Sequence, residues 1–130
     1  MSLKVEIKPG ERIIIGESII TNRGHRAKLV IDGNAPILRE KDIMRTEEAD
    51  TPCKRVYLMI QTMYLASDPK SHFNLYFDLI GEVQQAAPST AVQIDAINNQ
   101  ILIGFYYKAL KQAKALIAYE KELMEHGTCS

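Results

Sequence analysis

The chain has 130 residues, 46% of them hydrophobic and 25% charged, the balance of an ordinary folded protein and not of a disordered one. Sixteen Lys and Arg against sixteen Asp and Glu leave no net charge, which excludes a protein that coats nucleic acid indiscriminately. No apolar run approaches the roughly 18 residues of a membrane span, and the alternating N-terminus lacks the apolar core of a secretory signal. The sequence therefore places the protein in the cytoplasm, away from membranes.

In chain order, the first third reads as strands. Leu3, Val5 and Ile7 alternate with Lys4, Glu6 and Lys8, the period of a half-buried strand. Pro9-Gly10 supplies turn chemistry. The β-branched run Ile13-Ile14-Ile15 favours a second strand, Gly16 punctuates it, and Ser18 to Thr21 resumes. Asn22-Arg23-Gly24-His25 has the composition of a hairpin turn, with Ala27 to Ile31 as the return strand. Ala35 to Leu38 adds a short strand, placed at an edge because Pro36 cannot donate to a central ladder.

After residue 45 the period changes. Thr51-Pro52 opens a helix whose apolar face is Cys53, Val56, Tyr57, Ile60, Met63 and Tyr64. Asp68 is placed as the cap of a second helix, with Phe73, Tyr76, Phe77, Ile80 and Val83 inward. Thr90 with Gln93 has the spacing of a capping box for a third, which buries Ile94, Ile97 and Ile101. A last helix runs from about Phe105 to about Met124, with Tyr106, Ala109, Leu110, Ala113, Leu116 and Ile117 inward.

Strands first and helices afterwards give the class α+β: a small antiparallel N-terminal sheet or barrel packed on a C-terminal bundle of about four helices. The expected division is 1–45 as a basic β-rich subdomain and 46–130 as a helical one, together one compact unit.

The pattern offers little for catalysis. No glycine-rich phosphate loop, nucleophile elbow or helical His pair is present, and no cofactor or metal is expected. Cys53 near a helix start could have a lowered thiol pKa or be a small buried side chain, the second being the favoured reading. Cys129 is read as incidental, His72 as a surface residue in the first turn of a helix, and His126 as part of a fraying end. Charge is more suggestive. Residues 1–45 hold nine basic against six acidic side chains, a net of +3. Arg12, the cluster Arg23, His25, Arg26 and Lys28, then Arg39, Lys41 and Arg45, and Lys54 and Arg55 at the helix start are the candidate RNA contacts. Such side chains neutralise phosphates, and Arg also stacks on unpaired bases; from composition alone, charge on the solvent face of a sheet is equally read as serving solubility.

Five stretches carry a resemblance. They are Lys8-Pro9-Gly10-Glu11-Arg12-Ile13-Ile14-Ile15-Gly16, Ala35-Pro36-Ile37-Leu38-Arg39-Glu40-Lys41-Asp42-Ile43-Met44, Ala49-Asp50-Thr51-Pro52-Cys53-Lys54-Arg55-Val56-Tyr57, Ala86-Ala87-Pro88-Ser89 and Tyr107-Lys108-Ala109-Leu110-Lys111. In this order, over nearly the whole chain, the sequence resembles the FlbT family of flagellum-biosynthesis regulators of alphaproteobacteria. The resemblance implies a non-enzymatic post-transcriptional regulator. Such a protein associates with the 5′ untranslated region of flagellin messenger RNA and represses its translation or promotes its decay. The alternative is an adaptor that binds flagellin or another flagellar assembly factor. An exposed sheet edge also makes a homodimer an expectation.

Overall fold

A computed structural model describes residues 2–126. Cys129 lies outside them. The architecture is α+β, with small antiparallel sheets followed by four helices packed together. The chain divides into two compact units, Met1–Ile43 and Met44–Ser130.

The first unit contains β1 (Ser2–Ile7), β2 (Arg12–Ile15), β3 (Ser18–Thr21), β4 (Ala27–Asp32) and β5 (Ile37–Arg39). They form two antiparallel sheets: β1 pairs with β4, and the second sheet has the order β3-β2-β5. Alternation decides what each strand buries. Val5 and Ile7 point inward while Lys4 and Glu6 face out, and Ile13 is the inward residue of β2. These three make the unit's core, with Ile15, Ala27, Leu29, Ile31 and Ile37 packed on it.

The turns follow from their glycines. Lys8-Pro9-Gly10-Glu11 is a type II turn: Pro presets its second position, Gly10 takes φ +83° at its third, and Glu11 N–H donates to the Lys8 carbonyl at 3.0 Å. The β2–β3 connection is a two-residue loop, because Ile15 pairs with Ser18. Gly16 has φ +60° and Glu17 does not have a positive φ, the pattern of a II′ hairpin turn.

The expected hairpin at Asn22 to His25 is corrected. β3 and β4 belong to different sheets, and no non-glycine residue there adopts positive φ. Asn22 instead uses its side chain as a junction. Its Nδ2 donates to the carbonyls of Ile7 (2.9 Å) and His25 (2.8 Å), and its Oδ1 accepts from Gly24 N–H (3.0 Å). An Asx side chain that satisfies the backbone in this way replaces a turn.

The second unit contains α1 (Pro52–Leu65), α2 (Phe73–Ala86), α3 (Ala91–Leu102) and α4 (Tyr106–Glu125). Their apolar faces interlock through Val56, Tyr57, Ile60, Met63, Tyr76, Ile80, Val83, Ile94, Ile97, Ile101, Leu110 and Leu116, all within 3% of full burial. Each such side chain contributes roughly 1.5–3 kcal/mol. Two buried polar side chains, Tyr76 and Gln61, are paired. Tyr76 hydroxyl donates to Asn98 Oδ1 at 2.7 Å, and Gln61 both donates to and accepts from the Met44 backbone.

The start of α1 is capped twice. Thr51 Oγ1 accepts from Lys54 N–H, and Glu120 of α4 accepts from both the Thr51 hydroxyl and Cys53 N–H. Two other caps differ from expectation, since short 3-10 turns precede α2 and α3. Asp68 leads the turn Pro69–His72 without a side-chain cap, and His72 is half-buried at its end. Thr90 closes the turn Pro88–Thr90 in helical φ/ψ, and its hydroxyl donates backward to the Ala87 carbonyl instead of capping α3 with Gln93.

Candidate nucleic-acid interface

Seven of the ten candidate RNA contacts lie in the first unit, and Arg45, Lys54 and Arg55 lie in the second. In the first unit two loops are tied together. Gly10 N–H donates to the Asn22 carbonyl (2.6 Å), and Asn22 N–H donates to the Glu11 carbonyl (2.9 Å). This junction places the Lys8 turn beside the segment that carries Arg23, His25 and Arg26. Lys28 follows on the outer face of β4, directly across from Glu6.

Between β1 and the β2–β5 pair is a depression of about 160 Å³. Its charged lining is Lys8, Arg12, Arg39 and Lys41 with Glu6, Glu11 and Glu40. Composition pointed to Arg12, Arg39 and Lys41 but not to Lys8, which read only as the outward end of a strand. The Pro9-Gly10 turn after it was the available signal.

Four candidates carry an ion pair. Arg12 meets Glu40 at 3.3 Å, Arg26 meets Glu6 at 2.8 Å, Arg45 meets Glu48 at 3.1 Å, and Lys54 meets Asp50 at 3.2 Å. The Lys54 hydrogen bond and charge hold the Asp50 carboxyl below the usual range. Among the described residues Arg23, Lys28, Arg39 and Arg55 have no ion pair. The existing pairs are solvated, and such pairs contribute about 0.2–1 kcal/mol, so an incoming phosphate can exchange for the carboxylate at small cost.

The lowered-pKa reading of Cys53 is corrected. Its side chain is buried, and burial first, then the neighbouring Glu120 charge, pushes the thiol up to about 12. Among the described residues no group of His, Cys, Asp and Glu could hold a metal ion, and no helix is long and apolar enough to cross a membrane.

The tyrosines of α4 have separate roles. Tyr107 rests against Tyr64 with ring centroids 5.6 Å apart and lies under Lys111 Nζ. Tyr119 hydroxyl donates to Ser89 Oγ, and Tyr106 is half-buried with its hydroxyl pKa raised by burial and then by Asp68. The end of α3 and its connection to α4 expose Leu102, Ile103 and Phe105 at 61%, 61% and 58%.

The fold and surface define a small two-unit α+β protein with a mixed charged and apolar surface. Residues 3–124 match the family model described as "Flagellar protein FlbT". The chain is 55% identical to the "Probable flagellum biosynthesis repressor protein FlbT 1" of Bradyrhizobium diazoefficiens, over 95% of this chain and 85% of that protein. It is 51% identical to a like-named protein of Rhodopseudomonas palustris, over 95% and 98% of the two chains. It is 33% identical to the "Flagellum biosynthesis repressor protein FlbT" of Caulobacter vibrioides, over 97% and 92%. The chain belongs to the FlbT family, whose members are regulatory proteins and not enzymes. No solved structure matches it.

Proposed function

We propose that the protein represses flagellum biosynthesis after transcription, in the cytoplasm, by binding the 5′ untranslated region of flagellin messenger RNA. The occupied leader then hinders ribosome entry or exposes the message to nucleases. The observation that carries this reading is the depression lined by Lys8, Arg12, Arg39 and Lys41, which shares Lys8 with the basic junction of Arg23, His25 and Arg26. A concave site with more cations than carboxylates suits a phosphodiester, and the neighbouring Arg and His side chains suit the unstacked bases of a single-stranded loop. Repression is what the relatives' names state of those proteins.

The test is titration of the purified chain against a flagellin leader and a scrambled leader across a salt series. Lys8→Ala with Arg39→Ala is expected to weaken leader binding about tenfold or more and to reduce the magnitude of the salt slope by about 1.4, two single-strand phosphate contacts' worth. Unchanged affinity and slope in the double variant would remove this surface. Function would then move to the exposed Leu102, Ile103 and Phe105, as the docking site of a flagellin or flagellar-assembly adaptor.

A further inference from the structure

The β3 strand is an edge with nothing to guard it. It flanks β2 on one side only, and all four of its residues are exposed, Ile19 at 64% and Ile20 at 42%. Folded proteins protect such edges with charge, proline or a bulge, and Ser18-Ile19-Ile20-Thr21 has none of these.

The register states which backbone groups are available. The two-residue loop makes Ile15 and Ser18 a hydrogen-bonded pair, and alternation then makes Ile13 and Ile20 the next. The bond from Asn22 N–H to the Glu11 carbonyl continues the same alternation. Ser18 and Ile20 therefore spend their backbone groups on β2, while Ile19 and Thr21 direct theirs outward.

The charges say what occupies the edge. Glu17 lies one residue before β3 and Arg23 two residues after it, both exposed. Neither has an ion-pair or side-chain hydrogen-bond partner among the described residues. The segment is thus self-complementary when reversed: acid, uncharged apolar strand, base.

We propose that β3 pairs antiparallel with β3 of a second copy about a two-fold axis at Ile20. In this register Ile19 lies opposite Thr21 of the second copy and Thr21 opposite its Ile19, so the outward N–H and C=O groups of both chains meet. Ile20 faces its own symmetry mate at a close, non-hydrogen-bonded position. Glu17 comes level with Arg23 of the second copy at each end. A shift by one residue would oppose outward groups to groups already bonded to β2. A shift by two keeps the backbone parity but separates the charges. The result is one continuous sheet, β5-β2-β3 followed by its two-fold copy. Strands this short bury less than a standard interface, so the dimer is reversible, with Kd on the order of 10–100 µM.

Sedimentation velocity of the full chain over a concentration series tests this. The unaltered protein is expected to show a reversible monomer–dimer equilibrium. Glu17→Arg and Arg23→Glu each place like charges together and are expected to raise Kd about tenfold or more, and the double swap to restore it to within about threefold. Thr21→Pro removes an outward N–H that the monomer's own sheet does not use, and is expected to abolish dimer while the far-ultraviolet circular dichroism stays that of the parent. A protein that stays monomeric at every concentration overturns the proposal. So does a dimer unmoved by the single swaps and the proline, or a double swap that fails to restore pairing.

Discussion

Cys53 shows how one residue's environment sets its chemistry. A thiol near a helix start can be acidic, but here it is packed among the apolar residues of α1 beside Glu120, and both burial and that charge favour the protonated form. The folded state keeps its proton from the ordinary thiol value of 9.0 up to about 12, whereas the unfolded chain loses it from 9.0 upward. The contribution to stability is thus complete below pH 9.0 and declines as pH rises above it. Burial raises the Tyr76 phenol in the same direction. The thermal midpoint is expected to fall as pH is raised through this window, and to fall less in Cys53→Ala. An identical decline in the two proteins would show that the thiol stays out of the linkage.

At the scale of elements, the informative case is the connection between β3 and β4. Asn-Arg-Gly-His has the composition of a tight hairpin, and the flanking segments are both strands, so short-range pattern favours pairing them. The structure sends them to different sheets, and Asn22 serves as a junction to Ile7 and His25 instead of as a turn residue. Asn22→Ala removes three side-chain hydrogen bonds and leaves backbone groups to find other partners. Its expected cost is about 1–3 kcal/mol, read as a lower urea midpoint for the β unit. A shift under about 0.5 kcal/mol would mean that water replaces the side chain without loss. The helices were easier to read. Thr51-Pro52 starts α1, and the isoleucine triplet of α3 is fully buried as its spacing requires. The missed caps of α2 and α3 share one geometry: a short 3-10 turn precedes each helix, so Asp68 leads its turn without a side-chain cap and Thr90 takes helical φ/ψ.

For the whole molecule, charge is the quantity with consequences. Zero net charge and several paired arginines mean that only a few cations are available to a polyanion at once. On the proposed function, the plot of log K against log salt for the flagellin leader is expected to have a shallow slope of about −2 to −4, since each phosphate neutralised on a single strand contributes about −0.7. Equilibrium binding measured between low and physiological salt gives this directly. A slope near −8 would require many more phosphate contacts than the surface of the first unit offers. On the same proposal, discrimination between leader and scrambled RNA comes from bases stacked or hydrogen-bonded near Arg23 and His25, because a shallow electrostatic contribution carries little affinity for RNA in general.

By itself the sequence determined the class of the protein and its elements: strands where β-branched residues alternate, helices where apolar residues recur at three and four, turns at Pro9-Gly10 and Gly16, and membership in its family through motifs spread along the chain. Those properties are local or lie in the order of residues, so they can be read without coordinates. Tertiary structure alone decided which strands pair, that Glu120 caps α1 from 67 residues away, that Lys8 joins the cationic depression, and which arginines already hold a carboxylate. Each of these depends on groups far apart in the chain meeting within hydrogen-bonding distance, and residue periodicity contains no information about which distant groups will meet.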